Sequence, residues 1–250
     1  MQGPTGDGRG TARPVSRTTD TSRPSAPSRV RTDRRNLFST EPIRAAGRMR
    51  FQNETQRIIA YHSWARGKYL DLYDRLPWEV LTRNREATFG SIRNVHLHVL
   101  GAYTWWLVKM FHRDSLKPLW RVLDEKNYDR VRSAQQLREL DRTVDAQLLR
   151  VGETLTEARL RRRHEVGSKR QRWVATEREG IWHVLEEDYL HRGEILCMLW
   201  QDDIEPPYTG YMWWEYDTDP KSHPEFALYG RMGAKFAGGY VKAKRARRQS

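Results

Sequence analysis

The stretch SAQQLRELDRTVDAQLLRVGETL, residues 133–155, carries the clearest helical pattern in this 250-residue chain. Ser133 and Gln136 have the spacing of a capping box, a pattern with which many helices begin. Apolar residues then follow at intervals of three or four, as on one face of an α-helix: Leu137, Leu140, Val144, Leu148, Val151 and Leu155. The stretch predicts an amphipathic helix over 134–160, whose apolar face other helices must cover.

Three further stretches with helical spacing predict an all-α protein. Pro77 ends the first of them, because proline lacks the amide hydrogen that a helix interior needs. Ser91 lies in the first turn of the next, and Thr176 with Glu179 forms a second capping box at the start of the last. Four long helices favour an antiparallel four-helix bundle. In chain order they are expected over 51–76, 89–112, 134–160 and 176–201.

Two shorter segments follow the third and fourth predicted helices. A polar turn at Gly167 predicts a short β-hairpin within 161–175, and the aromatic residues of 208–214 predict an ordered extension lying on the bundle. The hairpin region is strongly basic, which indicates either a solvated loop or a surface that attracts a carboxylated substrate. The tryptophan pairs at 105–106 and 213–214 favour core and lid packing, with a substrate-pocket wall as the alternative.

The net charge of +13 belongs to the two ends of the chain. Residues 1–50 hold 11 arginines and 4 acidic residues, 231–250 hold 7 basic residues and no acidic ones, and the centre holds 27 basic and 28 acidic residues.

The Gly-, Pro-, Ser-, Thr- and Arg-rich segment 1–48 is expected to be disordered, because it has too little apolar surface to offset the entropy of ordering. Met49, where the composition changes, is an alternative start. We expect one folded domain over 49–230 and a solvated basic tail after it.

The composition excludes several classes of protein. The chain has no run of about 18 apolar residues, so no transmembrane helix and no membrane partner are expected. Cys197 is the only cysteine, which excludes an intrachain disulfide and a zinc site built from several cysteines. These features indicate a protein of the reducing cytoplasm. Cys197 is expected to be a small buried residue rather than a nucleophile.

The fourth predicted helix carries a stripe of candidate metal ligands. His183, Glu187, His191 and Glu194 fall within less than a quarter-turn of the helix surface, since each residue advances the helix by about 100°. Glu187 and His191, one turn apart, can bind one metal ion together. Such a stripe is also typical of a solvated helix face, so spacing leaves both interpretations open.

A third ligand must come from another helix, and His98 on the second predicted helix is the best candidate. It lies on an apolar face with small residues, whereas His96 falls about 160° away and is expected to be peripheral. Together with Glu187 and His191, it forms a set that suits Zn²⁺, Fe²⁺, Mn²⁺ or Ni²⁺. The alternative for His98 is a hydrogen-bonded core histidine. His62 is interpreted as a polar contact at the end of the bundle, not as a ligand.

An ordered set of motifs runs through the predicted bundle: Tyr61 to Arg66, Leu76-Pro77, Phe89 to Arg93, His98, Trp106, His183-Val184, His191-Arg192-Gly193-Glu194 and Pro206-Pro207. This set, over about 51–216, resembles the DinB-like (damage-inducible) superfamily. The resemblance implies a four-helix bundle with a long crossover, commonly dimeric, and a divalent metal held by three histidines.

The resemblance assigns the first and last metal ligands to His98 and His191. The middle ligand falls on Glu187, where the family has a histidine, and Glu194 stands where the family usually has glutamine. A carboxylate in place of an imidazole adds negative charge and favours Mn²⁺ or Fe²⁺. It also leaves open a site that binds no metal.

Characterised relatives in the superfamily include metal-dependent transferases that use a low-molecular-weight thiol, such as mycothiol or bacillithiol, and mycothiol-dependent maleylpyruvate isomerases. The resemblance implies a divalent-metal-dependent thiol S-transferase that acts on a small electrophile, and a homodimer. Glu194 is then expected to position a ligand or transfer a proton in catalysis. Arg192 is a candidate for facing an anionic substrate, although a surface or inter-helix ion pair is the commoner role of such a residue. The second hypothesis is a non-catalytic DinB-like stress-response or binding protein, whose basic tails associate weakly with nucleic acid.

Overall fold

The computed structural model describes residues 51–167, 171–219 and Lys221, and the tails predicted over 1–48 and 231–250 lie outside these ranges. The described residues form an all-α fold with a small two-stranded sheet, which confirms the predicted fold class. In chain order the elements are α1 Glu54–Tyr73, α2 Trp78–Thr82, α3 Ile92–Lys109, two 3₁₀ helices Asp114–Arg121 and Glu125–Arg130, α4 Ala134–Thr154, α5 Glu157–Leu160, β1 Arg163–Gly167, β2 Arg172–Thr176, α6 Glu177–Gln201 and α7 Tyr211–Thr218.

The four long helices begin at side-chain caps. Asn53, Ser91, Ser133 and Thr176 each accept a hydrogen bond from the backbone N–H three residues later, which satisfies one of the free donors at a helix start. Ser91 is therefore the cap of α3 rather than a residue of its first turn. Thr176 has both halves of its predicted capping box. The box predicted at Ser133 is half formed, because the Gln136 side chain accepts from the residue before Ser133.

The third predicted helix is divided into α4 and α5. α4 ends at Thr154, and the Thr156 side chain caps α5. Between them, the carbonyl of Leu155 accepts hydrogen bonds from the side chains of Asn53 and Gln56 at the start of α1. The α4–α5 break is thus stabilised by partners 99 and 102 residues away in the chain, which helical spacing cannot reveal.

The long helices pack as two antiparallel pairs. Contacts between α1 and α4 run in opposite directions along the two helices: Ser63 with Asp145, Arg66 with Asp141 and Asp71 with Arg138. α3 and α6 are also antiparallel, since His98 faces Glu187 while Trp106, further along α3, contacts His183. The apolar stripe of α4 lies in the core that these helices enclose. The order of the helices in a complete bundle stays a prediction.

The two shorter segments are ordered as expected. β1 and β2 pair antiparallel, with Gly167 opposite Arg172, so the predicted hairpin is present. The aromatic extension forms α7, whose Trp214 is buried against Tyr61 of α1. Within the described ranges, every helix is too short or too polar to cross a membrane.

Candidate metal centre

Three side chains from α3 and α6 converge on one point. His98 lies on α3, and Glu187 and His191 lie one turn apart on α6. The Nε2 atoms of His98 and His191 are 3.9 Å and 3.3 Å from Glu187 Oε2. Each residue offers one ligand atom, and these atoms all lie within 4.8 Å of one another. The structure therefore brings together the three residues that helical spacing marked as candidate ligands.

The donor set fits a divalent metal ion. Bonds of about 2.0–2.2 Å from metal to nitrogen or oxygen place two ligands of one ion about 3–3.5 Å apart, close to the distances between Glu187 and the two imidazoles. Two imidazoles and one carboxylate suit Zn²⁺, Fe²⁺, Mn²⁺ or Ni²⁺, and they leave coordination positions free. All three side chains are half-buried, so small molecules can reach those positions from solvent.

Glu194 holds His191 through its other ring nitrogen. His191 Nδ1 lies 3.0 Å from Glu194 Oε2, and the second oxygen of Glu194 accepts the backbone N–H of Thr88 at 3.1 Å. A carboxylate at Nδ1 keeps the proton on that nitrogen and leaves the Nε2 lone pair for a metal. Both oxygens of Glu194 are thus engaged, which supports a role in positioning His191. Proton transfer by Glu194 stays a prediction.

His98 is held between two aromatic rings. It stacks on Phe89, with 4.0 Å between ring centroids, and meets His191 edge to face at 4.9 Å. Burial lowers the pKa of His98, and the neighbouring His191 lowers it further. His98 is therefore neutral at neutral pH and has the lone pair that a metal ligand needs.

His183 belongs to the predicted stripe but lies outside the triad. Its Nε2 is 4.0 Å from Glu187 Oε1, and its ring packs on Trp106 with 5.3 Å between centroids. The side chain is exposed. It lies one turn before Glu187, on the side away from His191, so it forms part of the rim of the site.

Arg192 is buried on the interior side of α6. Its Nε lies 3.2 Å from Asp188 Oδ1, one turn before it on the same helix. Its Nη2 lies 3.3 Å from His62 Nδ1, and the guanidinium packs over the ring of Tyr61. These contacts support the ion-pair interpretation of Arg192. A contact with an anionic substrate stays a prediction.

The expectation that His96 is peripheral is wrong. His96 is buried, and its Nε2 lies 2.9 Å from Asp141 Oδ2 of α4, whereas His98 lies at the half-buried edge between α3 and α6. Helical spacing separated the two faces of α3 correctly. It could not show which face meets the acidic partner on α4, because that depends on how the helices pack. His62 is a polar contact as expected, but an interior one, 2.9 Å from Asp188 Oδ2.

A buried charge network adjoins the metal centre on the interior side of α6. Arg66 is fully buried and forms ion pairs with three carboxylates: Asp141, Asp145 and Asp188. Tyr103 donates a hydrogen bond to Asp188 Oδ2 at 2.8 Å. Burial raises the pKa of Asp188, but Arg192, His62 and Arg66 outweigh burial and hold that pKa well below its usual range. Asp188 is therefore ionised in the folded protein.

Two carboxylates on apolar helix faces mark this network in the sequence. Asp141 and Asp188 both occur among the apolar residues that form the buried faces of α4 and α6. A carboxylate at such a position requires a buried cation or several donors, because an unpaired buried charge is very costly. Arg66, on a helix with several buried aromatic residues, is the cation that contacts both carboxylates.

The expectation that Cys197 is buried is also wrong, since the cysteine is exposed. It lies on a surface of α6 that points away from the core and that we call the outer face. Large exposed apolar residues share this face: Trp182, Tyr189, Leu190 and Leu196.

An all-α fold with two imidazoles and one carboxylate converging between two helices defines the class of the protein: a helical protein with a candidate metal site. The family model of the DinB family matches residues 49–223, and the chain belongs to this family. No curated protein matches the chain. Family membership and the triad together support a DinB-family protein with a candidate metal centre, as the sequence motifs indicated.

Proposed function

We propose that this protein is a divalent-metal-dependent thiol S-transferase, which joins a low-molecular-weight thiol to a small electrophile. The observation that carries the proposal is the convergence of His98, Glu187 and His191 on one point in a member of the DinB family. Three protein ligands with further positions left free are the arrangement that metal catalysis requires.

The residues of the site have distinct roles in this proposal. A bound divalent metal supplies one kind of chemistry, in that it lowers the pKa of a thiol and presents the thiolate to an electrophile. His98 and His191 each offer a ring nitrogen, and Glu187 offers a carboxylate oxygen. Glu194 keeps Nε2 of His191 turned toward Glu187. Phe89 covers one face of the His98 ring and shields it from water.

Glu187 also bears on the identity of the metal. A carboxylate is a harder ligand than an imidazole, so this donor set binds Mn²⁺ or Fe²⁺ better than three imidazoles do. Zn²⁺ and Ni²⁺ remain acceptable to the same three ligands. We therefore propose that the native ion is Mn²⁺ or Fe²⁺.

Turnover by the full-length protein tests the proposal. Protein loaded with Mn²⁺, Fe²⁺, Zn²⁺ or Ni²⁺ is mixed with bacillithiol, mycothiol or glutathione and with 1-chloro-2,4-dinitrobenzene. The thiol sulfur bonds to the ring carbon, chloride leaves, and the thiol proton passes to the buffer. We expect a rate that depends on metal and is lost in His191→Ala. His183→Ala should retain the rate, because His183 is exposed and lies outside the triad.

A rate that is the same with and without metal, for every thiol, contradicts the transferase. Absence of both metal and turnover supports the second hypothesis, a non-catalytic stress-response or binding protein of the same family. The cytoplasmic location and the weak association of the tails with nucleic acid stay predictions, and both tails lie outside the described residues.

A further inference from the structure

A depression of about 250 Å³ lies between the end of α3 and the hairpin. α3 contributes Trp105 and Lys109, and the hairpin region contributes Gly167, Gln171 and Trp173. The ligands of the metal centre do not line this depression. Because it combines aromatic rings with a cationic side chain, it has the composition of a small-molecule site.

Two indole rings form one wall of the depression. Trp105 and Trp173 are nearly parallel, with 6.0 Å between centroids and 14° between planes. Trp173 is nevertheless 42% exposed, so much of its surface remains free for another planar molecule. Gly167 allows this arrangement. Its φ of +116° suits glycine, and a Cβ atom there would lie 2.9 Å from the Trp173 ring.

Lys109 supplies a positive charge at the same place. Its ammonium lies 5.7 Å from the centroid of the Trp120 ring, and among the described residues it forms no ion pair with a carboxylate. The described part of the neighbouring hairpin region adds to the positive charge, since 161–167 and 171–172 hold four arginines and one glutamate. An anion is therefore attracted to this part of the surface, and a cation is repelled.

The depression and the metal centre share one face of α3. His98, Ala102, Trp105 and Lys109 follow one another at intervals of four, three and four residues, which places them on one stripe of the helix. With a rise of 1.5 Å per residue, Trp105 lies about 10 Å along the axis from His98. His183 packs on Trp106 beside this stripe. A molecule whose aromatic end and reacting atom are about 10 Å apart can therefore reach from one site to the other.

We propose that this depression is a subsite for a planar aromatic carboxylate, which packs on the exposed surface of Trp173 beside Trp105 and places its charge at Lys109. We further propose that it holds the far end of the electrophile whose reacting carbon lies at the metal centre, a step that rests on the proposed thiol transferase. An aliphatic acid lacks the stacking contact, and a neutral aromatic molecule lacks the contact with the ammonium.

Calorimetric titration of the full-length, metal-stripped protein with 2-naphthoate tests the subsite independently of the metal. We expect Trp173→Ala to weaken binding about ten-fold, because the stacking partner is lost. Trp182→Ala is the matched control, since Trp182 is 43% exposed on the outer face of α6, and it should bind as the unaltered protein does. No binding by the unaltered protein, or equal losses in the two variants, overturns the subsite.

The variant Lys109→Met tests the contribution of the charge separately from that of the stacking. Lys109 lies on α3, outside the hairpin. Lys109→Met should weaken 2-naphthoate several-fold at low ionic strength and leave 2-naphthamide, the neutral analogue, unchanged. Lys117→Met, on an exposed lysine of the first 3₁₀ helix, is its control. Equal effects of Lys109→Met on the acid and the amide overturn the role of Lys109.

A naphthoate bearing a thiol on a tether of about 10 Å tests the link to the metal centre. In protein loaded with Zn²⁺ it should bind at least about ten-fold tighter than 2-naphthoate, and His191→Ala should remove this gain. No gain overturns the link. The two proposals can fail separately. If only the transferase proposal is wrong, 2-naphthoate still binds although no thiol is transferred. If only the subsite proposal is wrong, metal-dependent turnover occurs although 2-naphthoate does not bind.

Discussion

Glu194 organises the metal centre by holding the His191 imidazole in place. Glu194 contacts Nδ1 of His191 with one oxygen and the backbone of Thr88 with the other. It therefore ties a ligand on α6 to the loop that precedes α3. Such partners fix the tautomer and direction of a metal-bound imidazole, and their loss typically lowers metal affinity.

We predict that Glu194→Gln lowers metal affinity about ten-fold. The amide keeps the shape of the side chain but loses the charge that keeps the proton on Nδ1. Competition with a chromogenic chelator measures the affinity. Glu186→Gln, an exposed residue of the same helix, should leave affinity unchanged, and an equal change in both variants would show that general surface charge is responsible.

Helical spacing was sufficient to find two ligands and was less informative about the third. Glu187 and His191 occur one turn apart on one helix, so their proximity follows from helix geometry. His98 and His96 differ by two positions and face different neighbours. Which of them meets α6 depends on the packing of helices that are distant in sequence, and the burial of His96 was therefore predicted wrongly.

At the scale of elements, the close approach of α3 and α6 sets the distance between the ligands. Gly180 of α6 lies against α3, where an added Cβ atom would come within 2.6 Å of Met110 Sδ and 2.9 Å of the Trp106 ring. The methionine can move, but the buried tryptophan cannot do so without disturbing the core. Glycine at this position therefore brings His98 close to Glu187 and His191.

We predict that Gly180→Ala lowers the free energy of unfolding by about 1–3 kcal/mol, despite the higher helix propensity of alanine. It should also weaken metal binding, since the ligands lie on the two helices that it forces apart. Chemical denaturation and chelator competition measure the two effects.

Gly67→Ala on α1, where no described atom lies within 4 Å of an added Cβ, should instead raise stability by up to about 1 kcal/mol. A loss of stability in Gly67→Ala equal to that in Gly180→Ala would contradict the packing argument.

The boundaries of elements were predictable where the determinants are local. Thr176 and Glu179 form their capping box within three residues, and the start of α6 follows from them. The break between α4 and α5 depends instead on Asn53 and Gln56, which reach the Leu155 carbonyl from α1. A partner so far away in the chain leaves no mark in the local pattern, so one helix was predicted where two are present.

At the scale of the whole molecule, the buried charge network joins the four long helices. Arg66 of α1 contacts Asp141 of α4 and Asp188 of α6, and His96 of α3 contacts Asp141. Burial raises the pKa of Asp141, but Arg66 and His96 outweigh burial and lower that pKa below its usual value. The charge of Asp141 therefore stabilises the folded protein at neutral pH.

We predict that Asp141→Asn lowers the free energy of unfolding by about 2–3 kcal/mol at pH 7. A lowered pKa stabilises the folded state above the unfolded-state pKa of about 4, and this stabilisation is lost as pH falls through the folded-state value. The difference between the two proteins should shrink below about pH 4. Urea denaturation at several pH values measures it.

Asp71→Asn is the control for this experiment. Asp71 of α1 pairs with Arg138 of α4 at the protein surface. Exposed ion pairs contribute less than about 1 kcal/mol to the free energy of unfolding. If the two variants lose the same stability at pH 7, the network at Asp141 is not what stabilises the fold.

The outer face of α6 predicts a homodimer. Leu190 is 60% exposed beside Tyr189, and a contiguous exposed apolar surface commonly marks an interface. We predict that the protein is a dimer in solution and that Leu190→Lys makes it a monomer, as light scattering would measure. Met212→Lys on α7, at a residue 50% exposed, should stay dimeric. A monomeric unaltered protein would contradict the prediction.

The metal content of the purified full-length protein shows directly whether His98, Glu187 and His191 hold an ion. Elemental analysis should find about one divalent ion per chain in the unaltered protein and in His183→Ala, and none in His191→Ala, because His191 is a ligand and His183 lies outside the triad. The absence of any bound metal from the unaltered protein, even after incubation with Mn²⁺, Fe²⁺, Zn²⁺ and Ni²⁺, would contradict the assignment of His98, Glu187 and His191 as a metal site.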